Sequence, residues 1–349
     1  SIQFIWAMMK SIFGTGANIS KEKDKNENAV LSGMTLGIII GFIVFGFIAL
    51  NIEKYIKFMN MDVAIYKEFA LYSVIQLYIQ LIFSYVLEKL YFENKNKLAN
   101  KYCIILNILN FIILIVSALI FDNKMSIVIT TLLIIFIYVL VVTMKQYKKF
   151  KFRCNVLNFI KYDSVEIFNS LAFFIIYLFA SEYGEKYMIA LNFVALITDT
   201  QWDAFESIST VAKIDISQNN FNYKKHRKNA YILLGILLTT ILLMFIALYG
   251  AYELNLYITL IFLSFELINF IIYPIYKIKT CYLQLEYSAI KATTNKIVSN
   301  GLRMIMSFIK TPFCTGLGQV CSSIYQLISI NVMFNRNYEI KVNGTIDKK

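Results

Sequence analysis

Six acids lie inside stretches of chain that are otherwise apolar: Asp163 and Glu166 in KYDSVEIFNS, Asp199, Asp203 and Glu206 in ITDTQWDAFESISTVAKID, and Glu266 in IFLSFELINF. A carboxylate in such a setting is costly unless it faces protein or water, and as a rule it marks a functional site. Its oxygens are hard ligands for Na⁺, and it can take up and release a proton. At about 100° per residue, Asp199, Asp203, Glu206, Thr210 and Lys213 fall within about 80° of arc on a helix, so they form one polar stripe. Two readings of that stripe stand side by side. It lines a water-filled cavity and responds to Na⁺ or H⁺, or it packs against neighbouring helices with Lys213 or Arg303 as charge partners. Asp163, Glu166, Asp199, Asp203 and Glu266 are the candidates for cation or proton coupling. Acids at mid-depth are concentrated in the second half of the chain.

Arg303, in SNGLRMIMSF, is the one cation placed deep in an apolar stretch, and neutralising a nearby acid is its expected role. Trp202, Gln76, Gln80 and Tyr273 are candidate substrate contacts, because aromatic faces attract organic cations. Enzyme chemistry finds less support. His226 is the only histidine, read here as part of a basic loop, which excludes a His-cluster metal site and leaves a membrane-embedded hydrolase or acyltransferase without its His–acid pair. The five cysteines form no CxxC, so neither zinc nor a disulfide framework is indicated. No Gly-rich re-entrant loop of the kind a channel filter needs is present. No cofactor is expected beyond a coupling ion.

Membrane-spanning helices must position these residues. The chain is 58% hydrophobic with a mean hydropathy of +0.61. The apolar excess comes in runs of about 18–25 residues, each able to cross a hydrocarbon core of about 30 Å. Eleven spans are read, at about 1–16, 30–50, 66–89, 101–121, 125–144, 156–181, 187–213, 229–250, 254–277, 294–310 and 313–334. Pro274 should kink the ninth of these and free a backbone carbonyl. Gly33, Gly37 and Gly41 make consecutive GxxxG steps, read as close helix packing.

The net charge of +12 is spread over the connections between spans, a topology signal rather than a nucleic-acid surface. One alternating set of connections, with the C-terminal tail, holds 25 basic residues and the other holds 5. The rule that basic loops stay inside puts the first set and the C-terminus in the cytoplasm. ANISKEKDKNENAVLSGMTLGIII (17–40) resembles AKIDISQNNFNYKKHRKNAYILLGILL (212–238), and YFENKNKLANKYCIILNILNFI (91–112) resembles QLEYSAIKATTNKIVSNGLRMI (284–305). Both matches give an offset near 193–195 residues, the mark of a parallel repeat. That offset places the counterpart of helix 156–181 before residue 1, so a twelve-helix, six-plus-six plan lacking its first helix is expected.

GTGANISKEKDKNENA, FMNMDVAIYKEFALYSVI and LYFENKNKLANKYCIILNILN resemble, in that order, the junctions from helix two to helix five of the multidrug and toxic-compound extrusion (MATE) transporters. The resemblance runs over residues 1–335. It implies an all-α integral membrane protein of two helix bundles, residues 1–150 and 151–335, followed by a cytoplasmic tail 336–349. It implies export of small amphiphilic organic cations by alternating access, in exchange for Na⁺ or H⁺, by a monomer in a bacterial cell membrane, with the lipid bilayer as its surroundings and no nucleic-acid partner. Glu166 matches the acid of helix seven tied to cation binding. The helix-ten acid falls near Tyr273, with Glu266 two turns earlier. A lipid-linked oligosaccharide flippase of the same superfamily is the alternative, disfavoured because the charges at mid-depth read as mostly acidic.

Overall fold

The computed structural model describes residues 3–58, 63–147, 156–180, 185–250, 254–309 and 313–346. The described residues form helices and short connections, with no strand among them. In chain order the helices are α1 (Gln3–Met9), α2 (Ala17–Lys23), α3 (Ala29–Leu50), α4 (Ile52–Phe58), α5 (Val63–Phe92), α6 (Asn96–Ile120), α7 (Lys124–Gln146), α8 (Val156–Ala180), α9 (Glu185–Ser217), α10 (Tyr223–Tyr249), α11 (Leu256–Tyr282), α12 (Ala289–Ser307) and α13 (Cys314–Ile346). A π-helical stretch, Lys10–Gly16, joins α1 to α2, and another, Leu283–Tyr287, closes α11.

A helical segment stands at each of the eleven expected places, with α2 and α4 as additional short ones. Among the described residues, seven stretches are long and apolar enough to cross a membrane: Ala29–Leu50, Lys67–Phe92, Asn96–Ile120, Met125–Gln146, Tyr223–Tyr249, Leu256–Tyr287 and Cys314–Arg336. Their outer faces carry bare apolar side chains, such as Phe42, Phe47, Phe111, Leu119 and Ile246. A water-facing surface of this kind would be an aggregation liability far beyond the few hundred Å² a soluble monomer exposes. Hydrocarbon is the solvent that suits it. Helices α8, α9 and α12, outside those seven, share with α11 the charged residues described below.

The chain divides into two compact units, Ser1–Asp163 and Ser164–Lys349. The boundary falls inside α8 at Asp163, whose φ of −129° and ψ of 22° break the helical path. Within the first unit α3 packs on α5, and α7 packs on α5 and α6; within the second, α10 packs on α11, and α13 packs on α11 and α12. The repeat seen in the sequence is therefore a structural one. Helices α3, α5 and α6 start at Ala29, Val63 and Asn96, while α10, α11 and α12 start at Tyr223, Leu256 and Ala289, offsets of 194, 193 and 193 residues.

The glycine series has the role its spacing predicts. A Cβ on Gly33 would lie 2.5 Å from the Ala17 Cβ, and one on Gly37 would lie 2.5 Å from the Tyr85 hydroxyl. Bare backbone lets α3 sit directly against the first helical rod and against α5. The core of this unit gathers around Phe13, Met34, Phe45, Leu81 and Tyr85. In the second unit Phe193, Ile197, Phe205, Phe262 and Phe270 bring α9 and α11 together. Helix α13 packs closely on α12 at Gly318, where a Cβ would meet Met306 and the Arg303 backbone.

Two expectations need correction. The expected span ends at 277, but α11 runs on through Pro274 to Tyr282 and buries Lys277 and Lys279. Ile278, Cys281, Tyr282 and Leu283 stay buried past that point, and packing overrides the local run of lysines. His226 lies within the first turn of α10 rather than in a loop, and it has an acid partner: Nε2 stands 3.0 Å from Asp215 Oδ2, with the ring stacked on Phe221. The pair clasps the corner between α9 and α10.

Candidate functional site

The second unit gathers its charged residues into two clusters, both anchored on one stripe of α11. Glu266, Asn269, Tyr273 and Pro274, and Lys277 recur at three- and four-residue steps, so they share a face of that helix. Pro274 has no backbone N–H, which leaves the Phe270 carbonyl without its usual helical donor amid this polar stripe.

The first cluster is built on ion pairs. Lys277 Nζ donates to Glu166 Oε1 at 2.5 Å and stands 3.4 Å from Glu206 Oε2. Lys213 Nζ is 3.7 Å from the same Glu166 oxygen. The Tyr273 hydroxyl donates to Glu206 Oε1, and Ser209 Oγ donates to its Oε2 at 3.1 Å. Lys277 also lies 5.3 Å from the Tyr273 ring centroid, a cation–π contact. Helices α8, α9 and α11 each contribute at least one charge. Glu166 is thus matched by two ammonium groups of the chain itself. A third lysine, Lys296 on α12, shares the electrostatic environment of Lys277, Glu166 and Glu206.

The second cluster is built on neutral donors. Glu266 Oε2 accepts from Trp202 Nε1 at 3.0 Å and from Gln319 Nε2 at 3.3 Å. Arg303 Nη2 donates to Gln319 Oε1 at 2.7 Å, so the guanidinium reaches the acid through the amide. Trp202 stacks on Phe270 with centroids 4.0 Å apart and meets Tyr273 edge-on at 5.2 Å. One turn from Glu266, Asn269 is 2% exposed, and neither its Oδ1 nor its Nδ2 has a hydrogen-bond partner among the described residues. A buried amide with both ends unmatched costs roughly 1–3 kcal/mol per group, so it calls for an explanation such as an ion or water held there.

The structure thus brings together Glu166, Glu206, Lys213, Tyr273 and Lys277, and separately Trp202, Glu266, Arg303 and Gln319. The stripe on α9 does not act as one face: Lys213 is buried and Glu206 half-buried, whereas Asp199 is exposed. The Asp203 side chain lies outside the described residues. Asp163 is buried at the break in α8. Gln76 and Gln80 are exposed on α5, in the first unit. Sequence reasoning missed Lys277, Asn269 and Gln319. Two signals were there to be read: the stripe shared by Glu266, Asn269, Tyr273 and Lys277, and the continuation of the apolar pattern beyond Lys277. Lys213, Lys277 and Arg303 are all buried in the same unit as these acids.

Among the described residues no group of three or more His, Cys, Asp or Glu side chains could hold a metal ion in common. No family profile and no curated protein matches the sequence. Solved structures do match. An outward-facing multidrug resistance MATE family transporter of the MOP superfamily aligns over 96% of this chain and 86% of its own, with 12% identity and a TM-score of 0.70. An inward-facing form described in the same words aligns over 96% and 89%, with 13% identity and a TM-score of 0.63. A MOP superfamily transporter from Pyrococcus furiosus, described as having a binding pocket of reverse polarity that suggests a different function, aligns over 95% and 85%, with 14% identity and a TM-score of 0.68. The chain is an all-α membrane protein with the fold of the MATE transporters.

Proposed function

We propose that the protein is a secondary active transporter that exports small amphiphilic organic cations by alternating access, in exchange for H⁺ or Na⁺. The observation that carries this reading is Glu266 with Asn269. This carboxylate receives hydrogen bonds only from neutral donors among the described residues, Trp202 and Gln319, and an unmatched buried amide lies one turn away on the same face. A proton on Glu266, or Na⁺ held by Glu266 and Asn269 oxygens, meets no ammonium in ion-pair contact. Glu166 offers no such opening. A monovalent cation placed about 4 Å from Lys277 would face repulsion of about 4 kcal/mol at an effective dielectric of 20. Coupling therefore passes to Glu266, with Glu166 as a positioning residue, and with Trp202 and Tyr273 offering aromatic faces to the cationic substrate.

Everted membrane vesicles loaded with a fluorescent organic cation and given an imposed H⁺ or Na⁺ gradient test this. Gradient-driven transport should fall at least tenfold in Glu266→Gln protein at equal abundance. Transport that ignores both gradients would refute exchange. Transport that survives both Glu266→Gln and the paired change Glu166→Gln with Asp199→Asn would remove the site from the second unit. The flippase alternative gains from the buried lysines, and lipid-linked sugar crossing in the same vesicles, with no cation export, would establish it instead.

A further inference from the structure

We propose that Lys296 opens a binding position for an anionic oxygen group, a carboxylate or a phosphate, backed by Lys277. This position is separate from the cation reading of Glu266 and does not rest on it.

Its placement follows from the polar stripe of α12. Thr293, Lys296, Asn300 and Arg303 recur at three- and four-residue steps. At one end the Thr293 hydroxyl meets Ser164 Oγ of α8 at 2.6 Å. At the other, Asn300 Nδ2 donates to the Phe168 carbonyl of α8 at 3.1 Å. Lys296 lies one turn from each, so it faces the part of α8 that carries Glu166. Glu166 is already engaged by Lys277 at 2.5 Å and Lys213 at 3.7 Å, and Glu206 by Lys277 at 3.4 Å. Lys296 has no carboxylate in ion-pair contact among the described residues, and its side chain is half-buried rather than sealed. Lys277 and Lys213 thus already occupy the two carboxylates, and Lys296 stands in the same electrostatic neighbourhood without a contact partner of its own. An ammonium partly withdrawn from water without a counter-ion is unfavourable, and a ligand oxyanion would complete the set. The Ser164 and Thr293 hydroxyls, one turn away, can add hydrogen bonds to such a group.

The purified full-length protein tests the idea, with inorganic phosphate and acetate as soluble probes. Calorimetric titration and thermal unfolding are run at ionic strength matched with sodium chloride. A lipid arm compares nanodiscs of phosphatidylglycerol with nanodiscs of phosphatidylcholine. Saturable binding of phosphate or acetate identifies a soluble ligand. Stabilisation by phosphatidylglycerol alone identifies a lipid headgroup. In either case Lys296→Gln should weaken the effect at least tenfold and Lys296→Arg should keep most of it, while the unfolding midpoint without probe shows that both variants fold. Absence of saturable binding in both arms, or equal binding by Lys296→Gln and the wild-type chain, overturns the proposal. Phosphate binding in Glu266→Gln protein reads the lysine site alone, so it separates this inference from the cation-export reading.

Discussion

At the scale of single residues, Lys277 decides the most. Its ammonium bridges Glu166, largely withdrawn from water like the lysine itself, and Glu206, whose side chain is 39% exposed. Truncating one member of a buried ion pair costs about 3–5 kcal/mol, because the charge left behind has no compensation. Lys277→Met should therefore lower the unfolding midpoint strongly in detergent. The double change with Glu166→Gln should recover much of that loss, since the stranded carboxylate goes with its partner. Equal stability of Lys277→Met and wild type would show that the pairs contribute nothing. The acids were legible in the sequence because a carboxylate inside an apolar run is conspicuous on its own. Lys277 was not, because it stands at the end of its apolar run, where lysine ordinarily marks the loop. Only packing of the helix ends decides which of the two it is, and packing is invisible to a windowed reading of hydropathy. Asn269 was equally hidden: one amide in an apolar helix gains meaning only when its neighbours fail to satisfy it.

At the scale of elements, α3 gives the sharpest test. Gly37→Ala would set a methyl 2.5 Å from the Tyr85 hydroxyl and 2.8 Å from the Phe13 Cβ, an overpacking expected to cost about 1–3 kcal/mol. Gly46→Ala, on the same helix, meets nothing within 4 Å and should be neutral or slightly stabilising, because alanine is the better helix former. Thermal unfolding of the two variants side by side checks the contrast, and a Gly37→Ala protein as stable as Gly46→Ala would dismiss close packing as the reason for the glycines. Spacing alone foretold this packing, since a four-residue step repeats on one helix face whatever the neighbour is. The ends of elements were less readable. Helix α11 extends beyond its expected end because Ile278 and Leu283 still find apolar partners, and the π-helical turn of Lys10–Gly16 has no local signature in its residue types.

At the scale of the whole molecule, the alternation of basic and non-basic connections predicts which ends of the helices share a side. Asp122, between α6 and α7, and Asn219, between α9 and α10, belong to opposite sets. In a chain freed of its native cysteines, Asp122→Cys on intact cells should react with an impermeant maleimide, and Asn219→Cys should react only after the membrane is opened. Labelling of both from outside would reverse or break the assigned topology. The two-unit plan was visible in advance as a sequence offset, and the helix starts repeat it almost residue for residue. The charges do not repeat: the position of Lys277 in α11 corresponds to Ser84 in α5, and that of Glu266 to Ser73. The two units thus share a scaffold, while the second alone holds the interlocked set of Glu166, Lys213, Glu206 and Lys277. Such a set is a constraint on descent. A lineage altering any one of the four passes through a protein with a stranded charge, so relatives of this chain should carry the acids and lysines together, exchange them in pairs, or lose the whole set at once.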